Sequence, residues 1–271
     1  MGRAVVGYFR AAHPFPSFLV ATVAAALGLI ASGGEERGVA AMLGVGMLLY
    51  QFAIGTLNDV VDAQDDRRAK PSKPIASGAI SRRGAAWLVV VYAVGGMALT
   101  GGLPNGGWFV GVAGLLLGVV YDLRLKRTAL SWLPLSLALP MVPVWAFVSV
   151  GEWEDFLWFV FPLGAVLGFA LQLANQAPDV ETGGASGLGL PGLMGGRRAR
   201  VVAVAAWVAG VVGVIAVLAV SGRMGGAAVA GGAGVCVVAG LPFVRRLGRD
   251  GLFGLLAVGT AIVALAFLAS V

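Results

Sequence analysis

An all-α integral membrane protein, with nine transmembrane helices around a central cavity, is the fold class this sequence predicts. Three observations carry the prediction. Of 271 residues, 59% are hydrophobic and only 12% charged, where a soluble domain carries roughly 25% charged residues. The mean hydropathy is +0.91. The apolar residues also fall into nine runs, each near the roughly 20 residues that cross a hydrocarbon core as a helix. No polar stretch is long enough to fold alone, so residues 1–271 read as a single transmembrane domain.

The runs lie at about 14–32, 38–57, 84–103, 106–121, 129–150, 156–175, 201–221, 226–244 and 252–270. They are too long and too continuous for barrel strands, which leaves helices as the spanning form. The first follows Arg3 and Arg10 and contains Ala24-Ala25-Ala26; its length and the early Pro14 and Pro16 mark a retained helix rather than a cleaved signal peptide. His13, the only histidine, falls at the membrane surface just before it. Such a residue usually has an interfacial role, and its place near the mouth keeps it a minor catalytic candidate. Pro71 and Pro74 end the helix that continues from the second run. The short fourth run leads into Tyr121-Asp122-Leu123-Arg124-Leu125-Lys126-Arg127, an interfacial tyrosine beside an anion-binding corner. The sixth leads into a polar segment, about 176–200, with Asp179, Glu181 and the Gly-rich run 183–187; no Lys-Ser or Lys-Thr phosphate loop occurs there. The last three runs are almost purely Gly, Ala, Val and Leu, small residues that let membrane helices pack closely. Cys236 sits among them as a packing residue, with no second cysteine to pair with.

Nine crossings place 17 of the 19 Lys and Arg residues on one side and only Arg37 and Arg223 on the other. The basic side is therefore expected to be cytoplasmic, with the N-terminus inside, the C-terminus outside and the chain multi-pass in the cell inner (plasma) membrane. The formal charge of +6 is scattered among short loops and forms no stripe or arm for a nucleic acid.

Chemistry concentrates at the basic side. Asn58-Asp59-Val60-Val61-Asp62-Ala63-Gln64-Asp65-Asp66 directly follows the second run, and Arg67, Arg68, Lys70 and Lys73 come next. In a continued helix Asn58, Asp62 and Asp66 stand at i, i+4 and i+8, sharing a face. Charges at a helix end are commonly topology signals. Four carboxylates and an Asn within nine positions exceed that need, since ionisable groups at membrane depth are costly. Hard oxygen ligands suit Mg2+, which bridges to substrate phosphates, and the basic residues beyond can hold the remaining phosphate charge. The expected site is a magnesium–diphosphate site at the mouth of a membrane cavity, its rim built by segments of about 58–83 and 176–200.

At these residues the chain resembles the UbiA superfamily of intramembrane prenyltransferases. Residues 58–66 match that family's first motif, N-D-x-x-D-x-x-x-D, in full, and Lys73-Pro74-Ile75-Ala76-Ser77-Gly78 continues the likeness. Tyr121 with Lys126 is similar to the family's Tyr and basic pair, at a spacing of five rather than four. The second motif departs: in Asp179-Val180-Glu181-Thr182-Gly183, Gly183 stands where the family has its second Asp, and Glu181 is the substitute at hand.

The resemblance implies a UbiA-like nine-helix fold and a prenyl diphosphate with its tail in the cavity. It implies magnesium on Asn58, Asp62, Asp66, Asp179 and Glu181, and diphosphate contacts from Arg67, Lys70, Lys73 and Lys126. Asp62, Asp66, Lys73, Tyr121 and Lys126 become the catalytic set, releasing diphosphate and passing the prenyl group to a lipophilic acceptor bearing an aromatic ring or a hydroxyl. The competing expectations are a UbiA-type terpene cyclase, which needs no external acceptor, and a transporter or scaffold, which would place polar groups at the midplane within broken helices.

Overall fold

The computed structural model describes residues 2–153, 155–183, 188–248 and 250–270. Glu154, Arg249 and residues 184–187 of the Gly-rich run lie outside the described residues, as do the side chains of Arg3 and Arg245. A short helix, α1 (Gly2–Ala11), precedes α2 (Pro14–Ala31), α3 (Arg37–Ala69), α4 (Arg82–Thr100) and α5 (Gly107–Val120). After a π-helical turn at Tyr121–Leu125 come α6 (Leu133–Val150), α7 (Val160–Thr182), α8 (Leu190–Met194), α9 (Gly196–Val220), α10 (Met224–Gly240) and α11 (Gly251–Leu268). Nine of the described helical segments are long and apolar enough to cross a membrane, and they coincide with the nine runs expected from sequence. The protein is a multi-pass integral membrane protein.

The spans close into a ring, each packed on the next from α2 round to α11, which returns to α2. Because lipid is as apolar as the side chains, close backbone approach replaces the hydrophobic effect as the packing device. Gly168 of α7 shows it: a Cβ there would stand 2.6 Å from the Leu135 carbonyl oxygen and 2.8 Å from the Ser136 Cα of α6. Backbone cannot yield as a flexible side chain can. Gly168→Ala is therefore expected to cost about 1–3 kcal/mol by overpacking, visible as a lowered thermal unfolding temperature of the detergent-solubilised protein. An unchanged temperature would mean that α6 and α7 do not meet at this point.

Two helices run past the membrane at the basic end. The 33-residue α3 measures about 50 Å at 1.5 Å per residue, well beyond a core about 30 Å thick. Its last three turns carry the Asp-rich motif out of the apolar layer. It stops at Ala69, since Lys70 precedes Pro71 and takes extended backbone (φ −143°, ψ 61°). Likewise α7 runs on to Thr182, so residues 176–182, expected in a loop, form its final turns. Gly183 ends it in the left-handed region at φ +68°, a conformation glycine adopts without a Cβ penalty. The second acidic motif is thus cut short where the helix ends.

Between α3 and α4, residues 70–81 fold back over the end of α3. Ile75 and Ile80 are buried with Ala11, Ala63 and Ala85 in a small cluster flanked by Tyr8 and Val60. Ser81 caps α4 by accepting a hydrogen bond from the Gly84 amide (3.0 Å). These apolar anchors hold Lys70 and Lys73 above the acidic end of α3.

Candidate active site

The acidic end of α3 continues the helix's inward stripe. Below it Met47, Tyr50, Ala53 and Thr56 are buried; above them Asp59, Asp62 and Asp66 are each no more than 3% exposed. Buried carboxylates persist only when paired, and two lysines from outside the helix supply the pairing. Lys73 Nζ lies 2.6 Å from Asp59 Oδ1 and 2.8 Å from Asp66 Oδ2. Lys126 Nζ lies 2.7 Å from Asp62 Oδ2 and 3.0 Å from Asp122 Oδ1. Asn58 Nδ2 donates to Asp122 Oδ1 (2.9 Å). Asn58 and Asp62 therefore converge on the Lys126 corner, while Asp66 leans with Asp59 toward Lys73. The three side chains expected on one face share the helix end but not one partner.

Both lysines are held charged. Burial works against the Lys73 ammonium, but Asp59 and Asp66 outweigh it and keep its pKa above the ordinary lysine value. Burial likewise opposes the charge of Lys126, and Asp122 and Asp62 overcome it. A raised lysine pKa means that the stabilising charge is present throughout the neutral range and is lost only as pH climbs through that raised value.

The π turn accounts for the Tyr121–Lys126 spacing. The Lys126 amide donates to the Tyr121 carbonyl, an i+5 bond of 2.9 Å, so the turn holds one residue more than an α-helical turn. Residues five apart are thereby brought together: Lys126 Nζ stands 5.7 Å from the Tyr121 ring centroid. α7 secures this corner. The buried Gln176 donates to the Tyr121 hydroxyl and the Lys126 carbonyl (both 3.3 Å), and its Oε1 accepts from Ser131 (3.0 Å).

The second acidic motif reaches the site at one position. Asp179 Oδ1 is paired with Lys70 Nζ at 2.8 Å, joining the end of α7 to the loop after α3. Glu181 faces α9 instead, in a two-pronged pair with Arg200 (2.7 and 2.9 Å) at the surface. Arg67 is exposed on α3 and does not line the cavity described next. Asp65, exposed beside it, pairs with Arg127.

Beneath this rim is a cavity of about 870 Å³, lined by α1, α2, α3, α5, α6, α7 and α11. Its mouth carries His13, Asn58, Lys70, Lys73, Tyr121, Asp122 and Asp179; its depth is walled by Met47, Ile54, Leu115, Met141, Val142 and Trp145, with Gly111, Gly114 and Gly118 along α5. A volume in the range of roughly 300–1,000 Å³ suits a small-molecule ligand. Polar groups gathered at one end and apolar walls at the other suit an amphiphile with an anionic head.

The rim fits a hard cation by its donor chemistry. Asp62 Oδ1 and Asp122 Oδ2 are buried with no hydrogen-bond partner, which leaves oxygen acceptors available at the Lys126 corner. Among the described residues no three acidic or imidazole groups already form a metal cage; lysine ammoniums separate the carboxylates.

Sequence reasoning passed over Asp59, Asp122 and Gln176. Asp59 has neighbours on both candidate faces of α3, Asp122 is placed by the π turn, and Gln176 gave no signal beyond its nearness to Asp179.

Comparison with known proteins bears on the fold and the family. A digeranylgeranylglyceryl phosphate synthase of Methanoregula boonei is 30% identical over 191 residues, 68% of this chain and 66% of its own length. A synthase of the same name from Methanoculleus marisnigri is 29% identical over 124 residues, 46% of this chain and 44% of its own. The chain thus spans slightly under two thirds of the first relative and under half of the second. Among solved structures, a UbiA homologue from Aeropyrum pernix superposes with a TM-score of 0.72 at 19% identity, covering 92% of this chain and 96% of that one. A UbiA homologue from Archaeoglobus fulgidus, bound to GPP and Mg2+, gives 0.69 at 16% identity, covering 95% and 99%. At such identities these structures speak for the fold. The match to the UbiA prenyltransferase family runs over residues 18–252, and the chain belongs to that family.

Proposed function

We propose that this chain is a magnesium-dependent intramembrane prenyltransferase that moves a prenyl group from its diphosphate to a hydroxyl acceptor. The observation that carries it is the cavity itself: an apolar chamber with its charged groups confined to one mouth. The apolar walls take the prenyl tail, and the rim takes the diphosphate. Lys70 and Lys73 line the mouth, with Lys126 buried behind it between Asp62 and Asp122; these fixed ammoniums would neutralise charge developing on the leaving diphosphate. Asn58, Asp62, Asp66 and Asp179 are the residues that would hold magnesium; when bound, it neutralises diphosphate oxygens and weakens the carbon–oxygen bond. The loop of residues 70–81 folds over the end of α3 and limits the access of water to the allylic cation. The basic rim faces the cytoplasm, following the bias of Lys and Arg toward that side.

The relatives favour a hydroxyl acceptor, since their named product carries geranylgeranyl groups on a glyceryl phosphate. That product forms by prenylation of a hydroxyl. Purified protein incubated with prenyl diphosphates of graded length, with and without a chelator, tests the reading by mass spectrometry. Diphosphate release that depends on magnesium and a prenylated hydroxyl acceptor support it. A cyclised hydrocarbon formed without acceptor would replace it with the cyclase reading.

The tail chamber gives a further expectation. Gly114 faces the cavity with nothing within 4 Å of where a Cβ would stand. Gly114→Trp puts a large side chain into that space, and should lower kcat/KM for a 20-carbon diphosphate by roughly 10-fold or more while sparing the five-carbon one. Equal losses for both lengths would place the tail elsewhere.

A further inference from the structure

The histidine at the α1–α2 elbow is not among the groups assigned above to magnesium or diphosphate, yet it is built into the site. His13 takes left-handed backbone (φ 50°, ψ 63°) although it is not glycine, a conformation uncommon for such residues and found preferentially at functional positions. Gly55 makes room for it: a Cβ at Gly55 would stand 3.2 Å from His13 Cδ2 and 3.0 Å from the Ala12 carbonyl oxygen. One turn further along α3, Asp59 Oδ1 lies 3.0 Å from His13 Nε2. The Cδ2–Nε2 edge of the ring is thus set against α3. Nδ1 lies on the side of the ring away from α3, and His13 lines the cavity. The same Asp59 oxygen receives Lys73 Nζ at 2.6 Å, so the imidazole and the leaving-group ammonium are neighbours across one atom.

We propose that His13 is the general base for the acceptor, with Asp59 as its positioning residue. This rests on the transferase reading above and deepens it, because it commits the acceptor to a neutral hydroxyl delivered beside the α1–α2 elbow. With Nε2–H donated to Asp59, Nδ1 carries the lone pair. As the allylic carbon–oxygen bond breaks, its electron pair leaves on the diphosphate. The acceptor oxygen forms the new carbon–oxygen bond with its own lone pair. The hydroxyl proton passes to Nδ1, and the resulting imidazolium faces the Asp59 carboxylate, as an acid–base pair requires. The charged groups around the ring are Asp59 on α3, Lys73 in the loop above, and Arg10 on α1, which also lines the cavity.

Because the chain contains one histidine, every imidazole signal belongs to His13. The test uses the full chain in lipid nanodiscs with Mg2+, geranylgeranyl diphosphate, and geranylgeranylglyceryl phosphate as the hydroxyl probe. Two rates are read, the slow diphosphate release without acceptor in which water takes the allylic group, and formation of the doubly prenylated product. His13→Gln keeps a donor for Asp59 but cannot serve as a base. It is expected to lower product formation roughly 10²-fold or more while acceptor-free diphosphate release stays within about twofold. Nitrogen NMR of histidine-labelled wild type is expected to show the neutral ring protonated at Nε2 and bare at Nδ1. Transfer within about fivefold of wild type in His13→Gln would show a structural tie only, and an equal loss of both rates, or a protonated Nδ1 in the neutral ring, would also overturn the assignment. Wild type that releases diphosphate but leaves the probe unprenylated would overturn the hydroxyl-acceptor class. Absence of magnesium-dependent release from wild type would instead overturn the reading of the site itself.

Discussion

Asp62→Asn is expected to lower magnesium-dependent diphosphate release by roughly 10³-fold, about 4 kcal/mol of transition-state stabilisation, while leaving the protein folded. The two halves of that expectation have separate causes. Asn matches Asp in shape, and Lys126 keeps Asp122 as a partner at 3.0 Å, so the corner retains one ion pair. What disappears is one full charge and the acceptor Oδ1, a buried oxygen without a hydrogen-bond partner. A buried oxygen without a hydrogen bond is costly to keep, and under the proposed reading it is the acceptor that a cation arriving with substrate would take up. The measurement is phosphate-analyser kinetics over a magnesium titration, alongside size-exclusion and thermal profiles of the variant. Turnover within tenfold of wild type, with the magnesium dependence unmoved, would remove Asp62 from the site.

Much of this was legible in the sequence, and the limits have physical causes. Membrane span length and the Lys/Arg bias are one-dimensional properties, so the nine helices could be marked from composition alone. The Asp-rich stretch was also readable as a helix end, because Pro71 fixes where α3 must stop. The rotational phase of α3 was not. Spacings of three and four residues both bring side chains to one face, and each step of four drifts by about 40° around an α-helix. Asp59–Asp62 and Asn58–Asp62 were therefore equally good partners until α2 and the loop beyond α3 supplied His13 and Lys73. The Tyr121–Lys126 pair shows a different limit. Its five-residue spacing fits no α-helical face, and only the π turn, set by packing of α5 against α6 and α3, makes the two side chains meet. Glu181 illustrates a third. Asp179 and Glu181 are two apart and so point to different sides of α7; one reaches Lys70 across the cavity mouth, and the other is taken by Arg200 of α9.

Lys126→Met should be the most damaging single substitution in the rim, affecting both stability and turnover. The side chain is 1% exposed and stands between two carboxylates that are themselves buried. Removing the ammonium leaves Asp62 and Asp122 facing each other in a site shielded from water. Breaking a buried pair in this way costs about 3–5 kcal/mol, a large fraction of a typical domain's stability. Loss of activity alone would then be ambiguous, since an unfolded enzyme is also inactive. The double variant Lys126→Met/Asp122→Asn eases this by removing one of the two stranded carboxylate charges, so that Asp62 no longer faces a second one. Thermal stability is expected to recover by more than the single changes would predict if they acted independently. Turnover is expected to stay at least roughly 10²-fold down, because the cation aimed at the leaving diphosphate is still missing. Recovery of both together would make Lys126 a structural counter-ion. Recovery of stability alone would show that one ammonium holds the α3–α5 corner shut and also carries charge to the departing group.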